Sequence, residues 1–452
     1  MELNFHSVAQ KSSEHNIFVV YNSLMSPVTL ISNERQARET AALIEQIGEA
    51  LSSEQTLKSI VEGLPREVID GVRRSLSTER QELAEILAAY QNAKEGDFEL
   101  LKRKAENDLG EVLIVARIAK DWSQKDLARK LGLREQAIQR YESERYRSIS
   151  LAGYIRVARA LDVDLAADIR PVNENRWAPS FEVSPAEAQK VLKHARAHGW
   201  LQGDNGSDEN GISQLVKHVA EHVEMHGTPS LLRTGLNVKH HSEDWTLLSW
   251  KAQVTRKAKA VIDRDKLKYR PLDVSWLKDL VRLSKLDDGP AQAGDLLRQH
   301  GIVLIAERNI PGMNVDGAAF LVDHIPVIGL TLLRDALDNF WFTLMHEVGH
   351  VILHYRTGLA AGFFDDVESV EVDEFEEEAN RFASNMLIPE ELWSRSPARI
   401  AKTADPIERF ADQLGISPAI VFGRIRMERK NYALFSDKIG RNKVRRQLLS
   451  QP

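Results

Sequence analysis

The segment Phe342-Thr-Leu-Met-His346-Glu347-Val-Gly-His350-Val-Ile-Leu-His354 constrains this chain most, because it sets a His-Glu-x-x-His pattern inside an apolar stretch with helical spacing. On a helix, residues four apart lie one above the other, so His346 and His350 can offer two imidazole nitrogens to one zinc ion. Glu347 sits about 100° round from His346, able to reach a water beside the metal without being a ligand. These are the parts of a zinc-dependent peptidase.

The flanks fit a helix. Asp335 or Asp338 can cap its start, Gly358 can end it after about five turns, and apolar residues at 340, 344, 348, 351, 352 and 355 can anchor its opposite face. A second helical stretch, Glu376-Glu-Glu-Ala-Asn380-Arg-Phe-Ala-Ser-Asn-Met-Leu-Ile-Pro389, offers the third ligand. Its apolar face centres on Ala379, Phe382, Ala383 and Met386; Glu376 lies roughly 70° from that centre, Glu378 roughly 90° and Glu377 nearly opposite. Glu376 is the first candidate and Glu378 the fallback, while Asn380 can orient a ligand histidine through its other ring nitrogen. His354 stands about 12 Å along the axis from His346, too far to share an ion whose bonds to nitrogen are about 2.0 Å, so it reads as a packing or supporting histidine. His218-Val-Ala-Glu221-His222, continued by His226, is the inverted motif, but without an apolar anchor or partner helix it reads as a solvated helix face.

Together with Asp316-Gly-Ala-Ala-Phe, Pro326-Val-Ile and Leu387-Ile-Pro389, these motifs resemble the ImmA/IrrE metallopeptidase family over roughly residues 276 to 430. The resemblance implies a protein substrate, since such peptidases are known for cleaving small helix-turn-helix repressors. It also places the third ligand within Glu376 to Glu378.

A second signal lies upstream, in Ser123-Gln-Lys-Asp-Leu-Ala128-Arg-Lys-Leu-Gly132-Leu-Arg-Glu-Gln-Ala-Ile138-Gln-Arg-Tyr141. Ser123 can cap a first helix, Gly132 permits a tight turn, and Leu127, Leu131, Ile138 and Tyr141 can bury one face of a helical pair. The exposed face of the second helix would present Arg134, Glu135, Gln136, Gln139 and Arg140, whose amide and guanidinium groups match the hydrogen-bonding pattern of base edges in a major groove. Residues 113–150 carry nine Lys and Arg against five Asp and Glu, a local +4 in a chain of net charge -6, which suits phosphate contact. The segment resembles an XRE-type helix-turn-helix, closed by helices over Leu151 to Leu165. Gln124 is expected to touch phosphate, and Gln136 and Gln139 to read bases in an operator.

The remaining expectations are coarser. Residues 1–108 hold two amphipathic helical stretches, Asn33 to Leu51 and Ser77 to Asn92, joined by a polar segment with Pro65. Their place ahead of a helix-turn-helix faintly resembles HigA-type antitoxins, which implies dimerisation or contact with a toxin. Residues 109–170 form the helix-turn-helix domain, 171–275 a linker and helical connection, and 276–452 the peptidase domain. The linkers are Pro171 to Asn175 and Gln202 to Ser213. Strands are expected at Ile302 to Ala306, Ala318 to Val322 and Pro326 to Leu330, the last offering an edge to an extended peptide. The fold class is therefore multidomain and mainly α, with a small α+β zincin-like domain and a helical helix-turn-helix domain upstream.

No Lys or Arg lies between Arg356 and Arg381, while Asp365, Asp366, Glu368, Glu371, Asp373, Glu374 and the 376–378 triplet are acidic; such a rim would draw a basic substrate. Phe410 to Ile425 mimics another helix-turn-helix and reads as scaffold. The tail with Lys438, Arg441, Lys443, Arg445 and Arg446 reads as a phosphate-binding or disordered end. Zero cysteines excludes disulfides and thiolate ligands, and the absence of a basic-then-apolar leader or a long apolar run points to a cytoplasmic chain off the membrane.

Two readings of function follow. One is a DNA-binding regulator, expected as a homodimer, whose zinc peptidase cleaves a repressor, an antitoxin or the chain itself. The other is a regulator or antitoxin whose peptidase-like domain senses a ligand and never cleaves. An intact Glu347 favours the first, because a sensor has no need of a general base.

Overall fold

The computed structural model describes residues 30–52, 61–97, 109–146, 149–163, 185–201, 203, 206–226, 245–269, 273–355, 359 and 369–449. The acidic loop up to Glu368 and the linker Pro171 to Asn175 lie outside the described residues. The chain forms two compact units, residues 1–57 with 76–171, and 58–75 with 172–452.

The first unit is helical: α1 (Glu34–Ser52), the later part of α2 (Arg66–Lys94), α3 (Leu109–Ala119), α4 (Gln124–Leu131), α5 (Glu135–Ser143) and α6 (Leu151–Ala160). In α1 the residues Ala37, Thr40, Leu43, Ile47 and Ala50 recur at three- and four-residue steps and are all buried, the pattern of a helix with one face in a core. Ile86, Ala89 and Tyr90 share a core with Leu113, Ile118, Leu127, Ile138 and Val157, so the upstream helices complete the helix-turn-helix domain.

Two local features shape that domain. Ser123 caps α4 in a reciprocal box with Asp126, and Gly132 closes it at φ 68°, a left-handed turn that glycine adopts without strain. Beneath the turn, Arg117 on α3 and Glu142 on α5 form a buried two-pronged ion pair at 2.6 and 2.8 Å, and Arg117 also donates to the carbonyls of Trp122 and Ser32. Removing one member of such a pair costs about 3–5 kcal/mol, since the other charge is left buried alone.

The second unit has a small sheet between helical layers. The strands β1 (Val303–Ala306), β2 (Gly317–Val322) and β3 (Ile325–Leu330) lie in the order β1-β3-β2, with β1 parallel and β2 antiparallel to β3. β3, expected to offer an edge, is therefore the central strand, and β1 and β2 form the two edges. Ahead of the sheet come α7 (Pro185–Ala197), α8 (Asp208–His226), α9 (Trp245–Asp265), α10 (Leu277–Leu283) and α11 (Gly289–Gln299). After it come α12 (Leu337–Leu353), α13 (Ser369–Leu387), α14 (Glu390–Trp393), α15 (Asp405–Leu414), α16 (Pro418–Glu428) and α17 (Arg445–Leu448).

Alternation along the strands sends neighbouring residues to opposite faces. Gly329 abuts Trp250 and Val254 of α9, whereas Gly317 abuts Thr343 and Glu347 of α12. The sheet is thus covered by α9 on one face and by the motif helix on the other.

Several expectations need correction here. Neither Asp335 nor Asp338 caps α12: Ala336 stands at the cap without a side-chain bond, Asp335 accepts from the backbone of Val444 and Arg445, and Asp338 pairs with Arg426 at 3.1 Å. The helix ends at Leu353 with His354 as its C-cap, before Gly358 is reached. The inverted-motif helix α8 is not solvated throughout, because His222 is only 1% exposed beside Leu215 and Val219. The C-terminal basic run is packed: Val444 is buried and the Arg445 guanidinium donates to the carbonyls of Leu332 and Leu333.

Candidate metal centre and recognition helix

α12 and α13 can approach closely because Gly349 faces Ala379. A side-chain carbon on Gly349 would lie 3.2 Å from the Ala379 Cα, so anything larger would push the helices apart. The approach puts the buried imidazoles of His346 and His350 opposite Glu376, and one ligand atom from each falls within 4.8 Å of the other two. The two Nε2 atoms are 3.0 Å apart, His346 Nε2 is 3.2 Å from Glu376 Oε2, and His350 Nε2 is 3.2 Å from Glu376 Oε1.

The outer partners assign the protons. His346 Nδ1 lies 3.0 Å from Asn380 Oδ1, and an amide oxygen only accepts, so neutral His346 carries its proton on Nδ1. His350 Nδ1 lies 3.0 Å from His354 Nδ1, and His354 Nε2 lies 3.1 Å from Glu378 Oε2. A carboxylate also only accepts, so His354 donates from Nε2 and must accept at Nδ1, which leaves His350 to donate from its own Nδ1. Arg74 ends the chain with an exposed pair to Glu378 at 3.1 Å.

Both inner Nε2 atoms are then left with lone pairs facing each other and a carboxylate. Three such donors repel unless a cation sits among them. Tetrahedral zinc with bonds of about 2.0–2.1 Å holds its ligand atoms about 3.3 Å apart, close to the separations seen here. The residues therefore fit a metal. Burial holds His350 and His354 below the ordinary imidazole range, keeping them in the neutral form that binds metals.

Glu347 is 1% exposed, and its Oε1 lies against the start of β2. Its room depends on Gly317, where an added side-chain carbon would fall 2.8 Å from Glu347 Oε1 and 3.0 Å from Thr343 Cγ2. Glu378, the fallback ligand, is committed to His354 and Arg74. Gly317 falls within the Asp316-Gly-Ala-Ala-Phe motif, but sequence reading gave no reason for a glycine there, and no sign of Arg74, which stands 304 positions before Glu378.

In the other unit, Arg134, Glu135, Gln136, Gln139 and Arg140 all lie exposed at the start and along the outer face of α5, while Ile138 is buried beneath. Gln139 donates to Glu135 at 3.3 Å. Gln124, expected to meet phosphate, donates from its side-chain amide to buried Glu142 at 2.7 Å.

Fold and sites define a chain that joins a helix-turn-helix domain of the DNA-binding kind to a peptidase-like α+β domain with a group of residues able to bind a metal. More particularly, residues 297–426 match the family model of the IrrE N-terminal-like domain, a peptidase family, and residues 113–167 match that of the helix-turn-helix. The chain is a fusion of an ImmA/IrrE-like domain with an XRE-type helix-turn-helix. No curated protein and no solved structure matches it. Among the described residues, no helix is long and apolar enough to cross a membrane.

Proposed function

We propose that the chain is a DNA-binding transcriptional regulator carrying a zinc-dependent endopeptidase, which hydrolyses a peptide bond in a regulatory protein such as a helix-turn-helix repressor, an antitoxin or the chain itself. The observation that carries this reading is Glu347, a buried carboxylate one residue from His346, for which β2 leaves room only by way of Gly317.

Zinc held by His346, His350 and Glu376 would supply Lewis acidity toward a water and the scissile carbonyl. Glu347 takes the proton of the attacking water and returns it to the leaving amine. Asn380 and His354 fix the ring orientation of the two histidines. The edge of β2, beside Glu347, is the place where an extended peptide can add as a further strand.

On the nucleic-acid side, α5 enters the major groove of a double-stranded operator with Gln136 and Gln139 reading bases, flanked by Arg134, Glu135 and Arg140. A homodimer would set two such helices about 34–36 Å apart on a two-fold operator, and the N-terminal helices would supply the contact with a second subunit or a toxin. The proposed location is the cytoplasm, where such an operator is found.

Purified protein is expected to hold about one zinc per chain, and Glu347→Gln to keep the metal while losing cleavage of the substrate. Comparing the proteome after induction of wild type and Glu347→Gln identifies that substrate. Equal cleavage by the variant would remove the catalytic role and leave a regulator that uses this domain as a sensor.

A further inference from the structure

The groove that gathers the ligand atoms continues past them. α12 and α13 run antiparallel, and their facing residues step together: His350 meets Glu376, His346 meets Asn380, and one turn further on Phe342 and Ser384 line the same cavity. A helical turn advances about 5.4 Å, so this cavity begins within one or two turns of the ligand group.

The cavity measures about 150 Å³. A cavity of about that volume takes up a benzene molecule, so it suits one phenyl or branched aliphatic group. Phe342, Leu387, Ile388, Ile420 and Met427 give it apolar walls, three of them buried and Met427 half exposed at the mouth. α16 supplies the wall opposite the groove, which explains why a helical pair resembling a second DNA reader is packed here.

The charged lining residues are already matched. Asp338 pairs with Arg426 at 3.1 Å, Arg334 with Asp316 at 3.3 Å, and Arg424 with Glu390 and with Glu428 at 3.1 Å. A charged guest would find no uncompensated partner among them and would lose its hydration.

We propose that this cavity is the subsite for a large apolar side chain, aromatic or branched aliphatic, on a residue flanking the scissile bond of a peptide substrate. The inference rests on the peptidase reading of the metal centre. Consecutive Cα atoms are about 3.8 Å apart, so a residue beside a bond held at the ligand group can reach a cavity one turn away.

The test uses full-length, zinc-loaded protein and two peptidyl hydroxamates identical except for a benzyl or a methyl side chain, with binding measured by calorimetry. The benzyl compound is expected to bind at least about tenfold more tightly. Ser384→Phe, which fills the cavity from within, should erase that preference while zinc content and affinity for the methyl compound stay. If Ser384→Phe loses its zinc, Met427→Ala decides instead, by lowering the preference at full zinc content. Equal binding of the two compounds to wild type, or an undiminished preference in the variant that keeps its zinc, overturns the proposal. Digestion of a peptide library separates the two readings. Cleavage with no large apolar residue beside the bond overturns the subsite and keeps the peptidase, whereas a benzyl preference without any cleavage keeps the subsite and overturns the peptidase.

Discussion

At the residue scale, the proton order around the ligand group has consequences that metal binding can read. His354 accepts from His350 only while Glu378 accepts from His354, so His354→Leu leaves the His350 ring unsupported. A loss of roughly 10- to 100-fold in zinc affinity is expected, measured by competition with a chromophoric chelator. With burial holding His350 and His354 below their ordinary range, zinc affinity should stay flat as pH falls from about 8 through about 6.5, where free imidazoles titrate, and drop only at the lower pH where the buried rings take up protons. The stability of metal-free protein should fall at higher pH than zinc affinity does, beginning at about 6.5. The unfolded chain takes up protons below about 6.5 that the buried imidazoles refuse, so fewer protons are bound in the native state and acid favours unfolding. Gly317 is tested separately. Gly317→Ala should keep zinc but displace Glu347 and cut the rate of peptide cleavage by at least about tenfold, whereas an unchanged rate would show that the carboxylate has other room.

At the element scale, the helices were the most legible part of the chain and their neighbours the least. Periodicity located α1 and α12, and Ser123, read as a cap, marked the start of α4. The capping of α12 was misjudged because Asp335 and Asp338 both looked like caps, yet each is drawn off by a partner more than eighty positions downstream. The same blindness hid the ion pair of Arg117 and Glu142, which holds α3 against α5 and whose carboxylate also accepts from Gln124. For α5, Gln139→Ala should weaken binding to the preferred operator by roughly 1–3 kcal/mol and leave binding to random DNA nearly unchanged. A titration of labelled duplexes at fixed salt checks this. Equal affinity of variant and wild type for the operator would place base reading elsewhere.

At the scale of the whole molecule, the metal should stabilise one unit and not the other. The ligand group ties α12 to α13 within the second unit, and nothing in the core of the first unit depends on it. Removal of metal by a chelator should therefore lower the unfolding temperature of the second unit, with readdition of zinc restoring it, while the first unit's transition stays in place. Calorimetry of the full chain resolves the two transitions; a shift of both would mean that the units unfold together.

By itself the sequence determined the chemistry available here: two histidines at helical spacing, a carboxylate beside them, candidate third ligands on a second helix, and a turn between two short helices with polar side chains outward. Those are local facts, set by spacing along one helix and by side-chain type. Helical spacing ranked Glu376 ahead of its two neighbours, but only the tertiary structure set it against His346 and His350, paired His354 with His350, placed Gly317 against Glu347 and brought Arg74 to Glu378. Such choices depend on which helix faces which and at what distance. That is decided by packing among residues far apart in the chain, about which local periodicity carries no information.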